Sequence, residues 1–311
     1  MKQQNFLLSI IIPVYNEQQN ISPLLKRLLP VVSKYSYEII FVDDGSSDNT
    51  PNEIKKHAFK SKNIKLISFT RNFGHQVALT AGYQISSGDS IITMDADLQD
   101  PPELIDKLVE KWRQGFKIVY AKREERDDSL FKRTTASFFY RLINFLSDTQ
   151  IPKDIGDYRL LDKEVVNFLN KLPEKSRFLR GLVAWGGCSS AFVPFKRNRR
   201  FLGKTHYPLS KMINFALDGI ISFSTKPLKI ATYFGFISSF LGIAGVIYAL
   251  CRRFFLPHQY WVTGWTAIFV AVMFFGGIQL ITIGIIGEYI GKIYKEIQGR
   301  PQFLIKEKTN L

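Results

Sequence analysis

The sequence predicts an α/β fold. A mostly parallel sheet covered by helices on both faces occupies residues 1–208. An amphipathic segment follows at 209–228, then two transmembrane helices within 229–291 and a tail at 292–311. Three observations lead there. Apolar runs of strand length alternate with helical patterns along the first 122 residues, the order that builds parallel sheets. Two charge-free runs come later, "IATYFGFISSFLGIAGVIYAL" at 230–250 and "VTGWTAIFVAVMFFGGIQLITIGIIG" at 262–287. Each reaches the roughly 20 residues a helix needs to cross ~30 Å of hydrocarbon. Acidic and polar clusters fall where strands end, the edge at which such sheets bind ligands.

The elements follow in order. "LLSIIIPVY" reads as a buried strand, and the residues before it contain no signal-peptide cleavage pattern. "NISPLLKRLLPVVSK" has helical spacing despite Pro23 and Pro30. "YEIIFVDDG" is a strand, and "NTPNEIKKHAFK" a helix with Thr50 as its N-cap. "NIKLISF", "GHQVALTAGYQIS" and "DSIITMDAD" read as strand, helix and strand. "PPELIDKLVEKWRQG" is a helix opened by prolines and closed by Gly115, and "FKIVYAK" is a strand. "LSKMINFALDGIISFSTK" at 209–226 has the spacing of an amphipathic helix lying on the inner membrane surface.

The charge has a direction. The net charge is +15 with a pI near 9.7, which suits an anionic partner or membrane. The basic residues cluster beside the apolar runs: Lys196 to Lys211, Lys226 and Lys229 before, Lys292, Lys295 and Arg300 after. This places both termini in the cytoplasm, with Tyr260, Trp261 and Trp265 as anchors at the far interface. It also argues against a nucleic-acid binder, since no recognition motif accompanies it. Cys188 and Cys251 form no framework and read as reduced thiols without zinc. Gly287 and Gly291 have the spacing of a close helix contact, through which copies could associate.

The densest chemistry is "MDADLQDPPE" at 94–103. Residues i and i+2 of a strand point to one side. Asp95 and Asp97 with the Gln99 amide oxygen therefore make a hard oxygen site, suited to Mg²⁺ or Mn²⁺. Asp43 and Asp44 end the second strand, where a ribose or base edge needs acceptors. The alternative for "FVDDGSSDNT" is a plain turn before a capped helix. Neither a G-x-G-x-x-G nor a Walker A sequence occurs, so a dinucleotide or P-loop triphosphate site is not supported. His75, after Gly74, reads as a local hydrogen-bonding residue, and Trp112 and Trp185 as packing.

"SIIIPVYNE", "FVDDGSSDNT", "RNFGHQVALTAG" and "MDADLQDPPE", in this order, resemble the family-2 glycosyltransferases of GT-A fold. With the two apolar runs, "GDYRLLDKEVV" and "SRFLRGLVAWGG", the chain is similar to the polyprenyl-phosphate glycosyltransferases, the bactoprenol glucosyltransferases and dolichyl-phosphate mannose synthase among them. The resemblance implies a donor pocket lined by Pro13, Tyr15, Glu17, Asp43, Asp44, Asp95 and Ala96. It implies a divalent ion on Asp95, Asp97 and Gln99, bridging the donor's diphosphate. It gives Asp157, Arg200 and Arg123 catalytic roles, Arg123 as the basic residue of a mobile loop. Arg200, Thr205 and Lys211 would meet the acceptor phosphate. Relatives often carry Gly-x-Ser-Lys-Tyr where this chain has "GKTHYPLSK", so His206 replaces a fixed charge.

The implied reaction moves a hexose, glucose from UDP-glucose being the first choice, to undecaprenyl phosphate at the cytoplasmic face of a bacterial inner membrane. A phosphate monoester is largely a dianion at neutral pH, so Asp157 would orient the acceptor or sugar more than remove a proton. A GDP-mannose-dependent mannosyltransferase and an inactive membrane adaptor are the alternatives. A processive synthase would have more spans and a Q-x-x-R-W motif, absent here.

Overall fold

The computed structural model of the protein describes residues 6–123, 152, 155–175, 177–196, 224–255 and 264–311. In the first of two compact units the chain runs β1 (Leu7–Val14), α1 (Gln18–Val32), β2 (Ser36–Asp43), α2 (Thr50–Ala58), β3 (Ile64–Phe69), α3 (His75–Ile85) and β4 (Ser90–Thr93). After a short 3-10 turn come α4 (Ile105–Arg113), β5 (Ile118–Arg123), β6 (Ile155–Asp162), α5 (Lys163–Lys171), α6 (Leu179–Trp185) and β7 (Ser190–Phe195). The unit closes with β8 (Ile305–Thr309).

The strands form one eight-stranded sheet in the order β7-β5-β6-β4-β1-β2-β3-β8. β1 lies inside it, parallel to both β2 and β4. Its Leu8, Ile10, Ile11 and Ile12 are fully buried, the unbroken apolar run of a strand covered on both faces. α1 buries Ile21, Leu24, Leu25, Leu28 and Val32, and α4 buries Ile105, Leu108, Val109 and Trp112. Both sets have helical spacing, and α1 continues through Pro23 and Pro30. Each fully buried Leu or Ile contributes about 1.5–3 kcal/mol. Thr50 is the first residue of α2; Asp48 Oδ1 accepts its N–H.

The sheet is only partly parallel, which corrects the expectation. β6 enters antiparallel between β4 and β5, and β8 is antiparallel to β3. The reversal of β6 has a functional result. Thr93 lies opposite Arg159, so the start of β6 is carried to the same edge as the carboxyl ends of β1, β2 and β4.

Residues 300–310 run as a strap along the far edge. The Arg300 carbonyl accepts from Lys175 Nζ, and Gln302 Nε2 donates to the Glu174 carbonyl. Phe303 stacks on Phe69 at 4.9 Å, and the Leu304 carbonyl accepts the Thr70 N–H. Glu307 pairs with Lys55 at 2.6 Å, and Asn310 Nδ2 donates to the carbonyls of Ala58 and Ile64. The expected tail thus holds the end of one long helix and a strand of the sheet.

The second unit contains two long helices, α7 (Lys226–Phe255) and α8 (Trp265–Ile297). At 1.5 Å per residue they measure about 45 and 50 Å. Lys226–Tyr248 and Ile268–Ile297 are long and apolar enough to cross a membrane. Their large apolar side chains, Phe236, Phe240, Leu280 and Ile281 among them, are exposed. The Tyr289 hydroxyl donates to the Ser224 carbonyl at 2.7 Å. Most of the amphipathic segment, Arg200, Thr205, Lys211, Tyr260 and Trp261 lie outside the described residues.

Candidate active site

The carboxyl edge of the sheet gathers the expected donor residues. β1 ends at Val14, paired with Asp43 of β2. Pro13 is buried in that pair and Tyr15 is exposed beyond it. Asn16 takes a positive φ of 55°. Its side-chain oxygen accepts the Ser47 N–H at 2.8 Å, and its own N–H reaches Ser46 Oγ. The Glu17 N–H donates to Thr50 Oγ1. The loops after β1 and β2 are therefore knitted together.

Asp43 and Asp44 are both buried. Asp43 Oδ1 accepts the Ser46 N–H at 3.0 Å. Asp44 accepts the Phe73 N–H at 2.7 Å on Oδ1 and the Gly74 N–H at 2.9 Å on Oδ2. Asp44 thereby anchors the "RNFGH" loop and sets where α3 begins. Gly45, with φ +71°, lies so close to Arg71 that an added Cβ would meet its carbonyl carbon at 2.4 Å.

The segment after β4 folds tightly on itself. The Gln99 N–H donates to Asp97 Oδ1, and the Asp95 N–H to Asp100 Oδ2, both at 3.1 Å. Ala96, Asp97 and Asp100 are buried, and Leu98 takes φ 62°. Burial, and then the charge of Asp95, push the Asp100 carboxyl up to about 7. Among the described residues no three His, Cys, Asp or Glu side chains converge as a ready-made metal centre. The donor set still fits a hard divalent ion. Two carboxylates and an amide oxygen lie within five residues, and the buried Asp100 Oδ1 beside them has no hydrogen-bond partner. A Mg²⁺-type ion is commonly bound by one or two carboxylates and completed by substrate phosphates, which explains a site that is not closed in advance.

Asp157 is flanked by Arg180, His75 and Arg159. Arg180 grips it with a two-point fork, Nε to Oδ1 at 3.1 Å and Nη2 to Oδ2 at 2.7 Å. His75 Nε2 lies 3.4 Å from Asp157 Oδ2 and 3.9 Å from Asp95 Oδ1. The fully buried Arg159 approaches Oδ1 to 3.8 Å. Burial opposes ionisation of Asp157, but Arg180 and then the hydrogen bond from His75 hold its carboxyl well below the usual carboxylate range. Burial would also lower His75, yet Asp157 and Asp95 outweigh it and raise the imidazole. Arg123 ends β5, and its guanidinium lies over Gly156, where an added Cβ would meet it at 3.0 Å.

The chain matches the profile of glycosyl transferase family 2 over residues 9–169, more than half its length. It belongs to that family. The enzyme is thus a glycosyltransferase, and its first unit a GT-A-like domain. An uncharacterized glycosyltransferase of Synechocystis sp. is 45% identical over 98% of this chain and 96% of its own length. The uncharacterized glycosyltransferase YkcC of Bacillus subtilis is 43% identical, over 97% and 94%. The prophage-derived bactoprenol glucosyl transferase of Shigella flexneri is 40% identical over 96% of this chain and 97% of that protein.

The fold places Asp95, Asp97, Asp157 and Arg123 at one edge of the sheet. Two partners of Asp157 carry no sequence motif of their own. His75 reads from sequence as a local hydrogen-bonding residue, and Arg180 lies inside "SRFLRGLVAWGG" with nothing to single it out. A titratable ring directly after the Gly74 that opens a helix was the available signal for His75.

Proposed function

We propose that this glycosyltransferase moves glucose from UDP-glucose to polyprenyl phosphate at the cytoplasmic face of the membrane, inverting the anomeric carbon. One observation carries this reading: the 40% identity to a bactoprenol glucosyl transferase spans 96% of the chain, both apolar helices included. β1 and β8 belong to one sheet although α7 and α8 lie between them in sequence. That supports two crossings with the flanking chain on one side. Gly287 and Gly291 on α8 leave space around an added Cβ, room that the helix of a second copy could use.

Asp95, Asp97 and Gln99 would hold Mg²⁺ or Mn²⁺, which supplies positive charge to the departing diphosphate. Pro13, Tyr15, Glu17 and the loops fixed by Asp43 and Asp44 receive the nucleoside. A phosphate oxygen of the acceptor forms the new bond to the anomeric carbon. The old bond breaks, and its electron pair leaves on the nucleoside diphosphate. The acceptor phosphate is already largely a dianion, so it needs no strong base. Asp157 is suited to a different task. Held ionised by Arg180, it is a poor proton acceptor and a firm anchor for the cations around it. Arg123, with Arg200 and Lys211 of the basic run, compensates the two anions that must approach each other, and the Thr205 hydroxyl donates to the acceptor phosphate.

The test combines purified protein in detergent with undecaprenyl phosphate and a panel of labelled UDP- and GDP-sugars. Mn²⁺, Mg²⁺ and EDTA are compared, and Asp97→Ala runs in parallel. Labelled lipid from UDP-glucose, abolished by EDTA and by the substitution, is the expected result. Labelling from GDP-mannose alone would reassign the donor. Nucleotide binding without labelling from any donor would overturn the acceptor.

A further inference from the structure

We propose that His75 is a positioning residue of the transfer reaction, fixing the donor-side carboxylate Asp95 against the Asp157–Arg180 pair. The inference rests on the glycosyl transfer proposed above and adds a residue to it. His75 is the first residue of α3. Its Nε2 lies between two carboxylates on different strand ends, 3.9 Å from Asp95 Oδ1 and 3.4 Å from Asp157 Oδ2. No other side chain of the described residues is placed in an ion pair with both.

Its placement is built from two sides. Asp44 grips the N–H groups of Phe73 and Gly74, so the nucleoside-side loop determines where the imidazole stands. The next residue, Gln76, accepts the Leu179 N–H on its side-chain oxygen at 3.1 Å. Leu179 opens α6 and precedes Arg180. The first turns of α3 and α6 are thus tied, and they deliver His75 and Arg180 to one carboxylate together. Gly82 presses α3 onto β1, with Ile11 Cγ2 at 2.3 Å from an added Cβ, which leaves the helix little room to shift.

The geometry joins Asp95, assigned above to the metal of the donor's diphosphate, to the Asp157–Arg180 pair. Such a link aligns bound groups and adds little to binding them. Its loss should reduce turnover and spare affinity.

The experiment compares His75→Ala and His75→Gln in the full-length protein. Glutamine places an amide N–H close to where histidine holds Nε2. For His75→Ala, kcat should fall at least tenfold, while the donor KM and the Kd for UDP with Mn²⁺, measured by calorimetry, stay within threefold. His75→Gln should recover kcat to within threefold of the parent. Parental kcat in His75→Ala would overturn the proposal. So would a Kd that weakens in step with kcat, or a His75→Gln variant as impaired as the alanine. If the parent labels no lipid, the reaction is wrong, and a thermal cycle of His75→Ala with Asp157→Asn still decides the contact. Tm losses that simply add would then overturn the link.

Discussion

Replacing Arg180 by methionine removes the fork on Asp157 and keeps most of the side chain's bulk. Two hydrogen bonds disappear, at 3.1 and 2.7 Å. Bonds to a charged group are worth about 1.5–3 kcal/mol each, and breaking a buried ion pair costs about 3–5 kcal/mol. The Asp157 side chain is 6% exposed and that of Arg180 27%. Asp157 would keep His75 at 3.4 Å and Arg159 at 3.8 Å, so the lower end applies, about 3 kcal/mol. For a domain of this size each kcal/mol moves Tm by about 2–4 °C, giving a fall of about 6–12 °C. If the contact reaches that strength only in the transition state, kcat drops by up to about 10²-fold. Thermal unfolding in detergent and initial rates with saturating donor measure both. Arg180→Lys should fall between the two, because an ammonium cannot make the fork. An Arg180→Met protein within 2 °C and threefold of the parent would refute the view that this clamp organises Asp157.

Three further outcomes are expected. Asp44→Ala leaves the Phe73 and Gly74 N–H groups without their carboxylate, costing about 2–4 kcal/mol; Tm and kcat/KM should fall together, and a normal kcat/KM would contradict its anchoring role. Gly45→Ala forces a Cβ into the Arg71 backbone at a positive φ, so donor KM should rise with a stability loss of about 1–3 kcal/mol; unaltered donor titrations would count against it. Burial would raise the Glu38 carboxyl, but hydrogen bonds from Lys65, Ser9 and the Ser87 N–H outweigh it and hold the group below its ordinary value. A depressed carboxylate stabilises fully above its ordinary value and loses that contribution as pH falls through the lowered one. The Tm gap between parent and Glu38→Gln should therefore shrink between pH 6 and pH 3; a constant gap would sink the assignment.

The first five strands were legible because short, largely apolar runs alternate with helical patterns along the chain. β6 was not legible as a strand because Asp157, Arg159 and Asp162 interrupt it. Buried charges of this kind are tolerated only with partners, and only the fold supplies them. Asp162 accepts from Trp112 Nε1 at 2.7 Å, and Arg159 lies against Asp157. β8, "IKEKT", alternates charge as an exposed edge strand does, and its distance from the other strands in sequence concealed it. The Asp95–Asp97 and Asp43–Asp44 pairs could be read from strand ends. The role of Asp44 as a backbone anchor could not, since its partners are about 30 residues away. His75 and Arg180 meet only because β6 is inserted backwards and Gln76 ties α3 to α6.

The strap along β3 has a consequence for how the protein is made. β8 is translated after both apolar helices. Until it arrives, β3 presents an open row of N–H and C=O groups, a template for pairing with other chains. A nascent chain must therefore thread two hydrophobic helices past the ribosome before its catalytic sheet gains a finished border. Completion of the enzyme is thereby tied to the synthesis of its own anchor. A catalytic fragment released without the helices would carry the unfinished edge into solution.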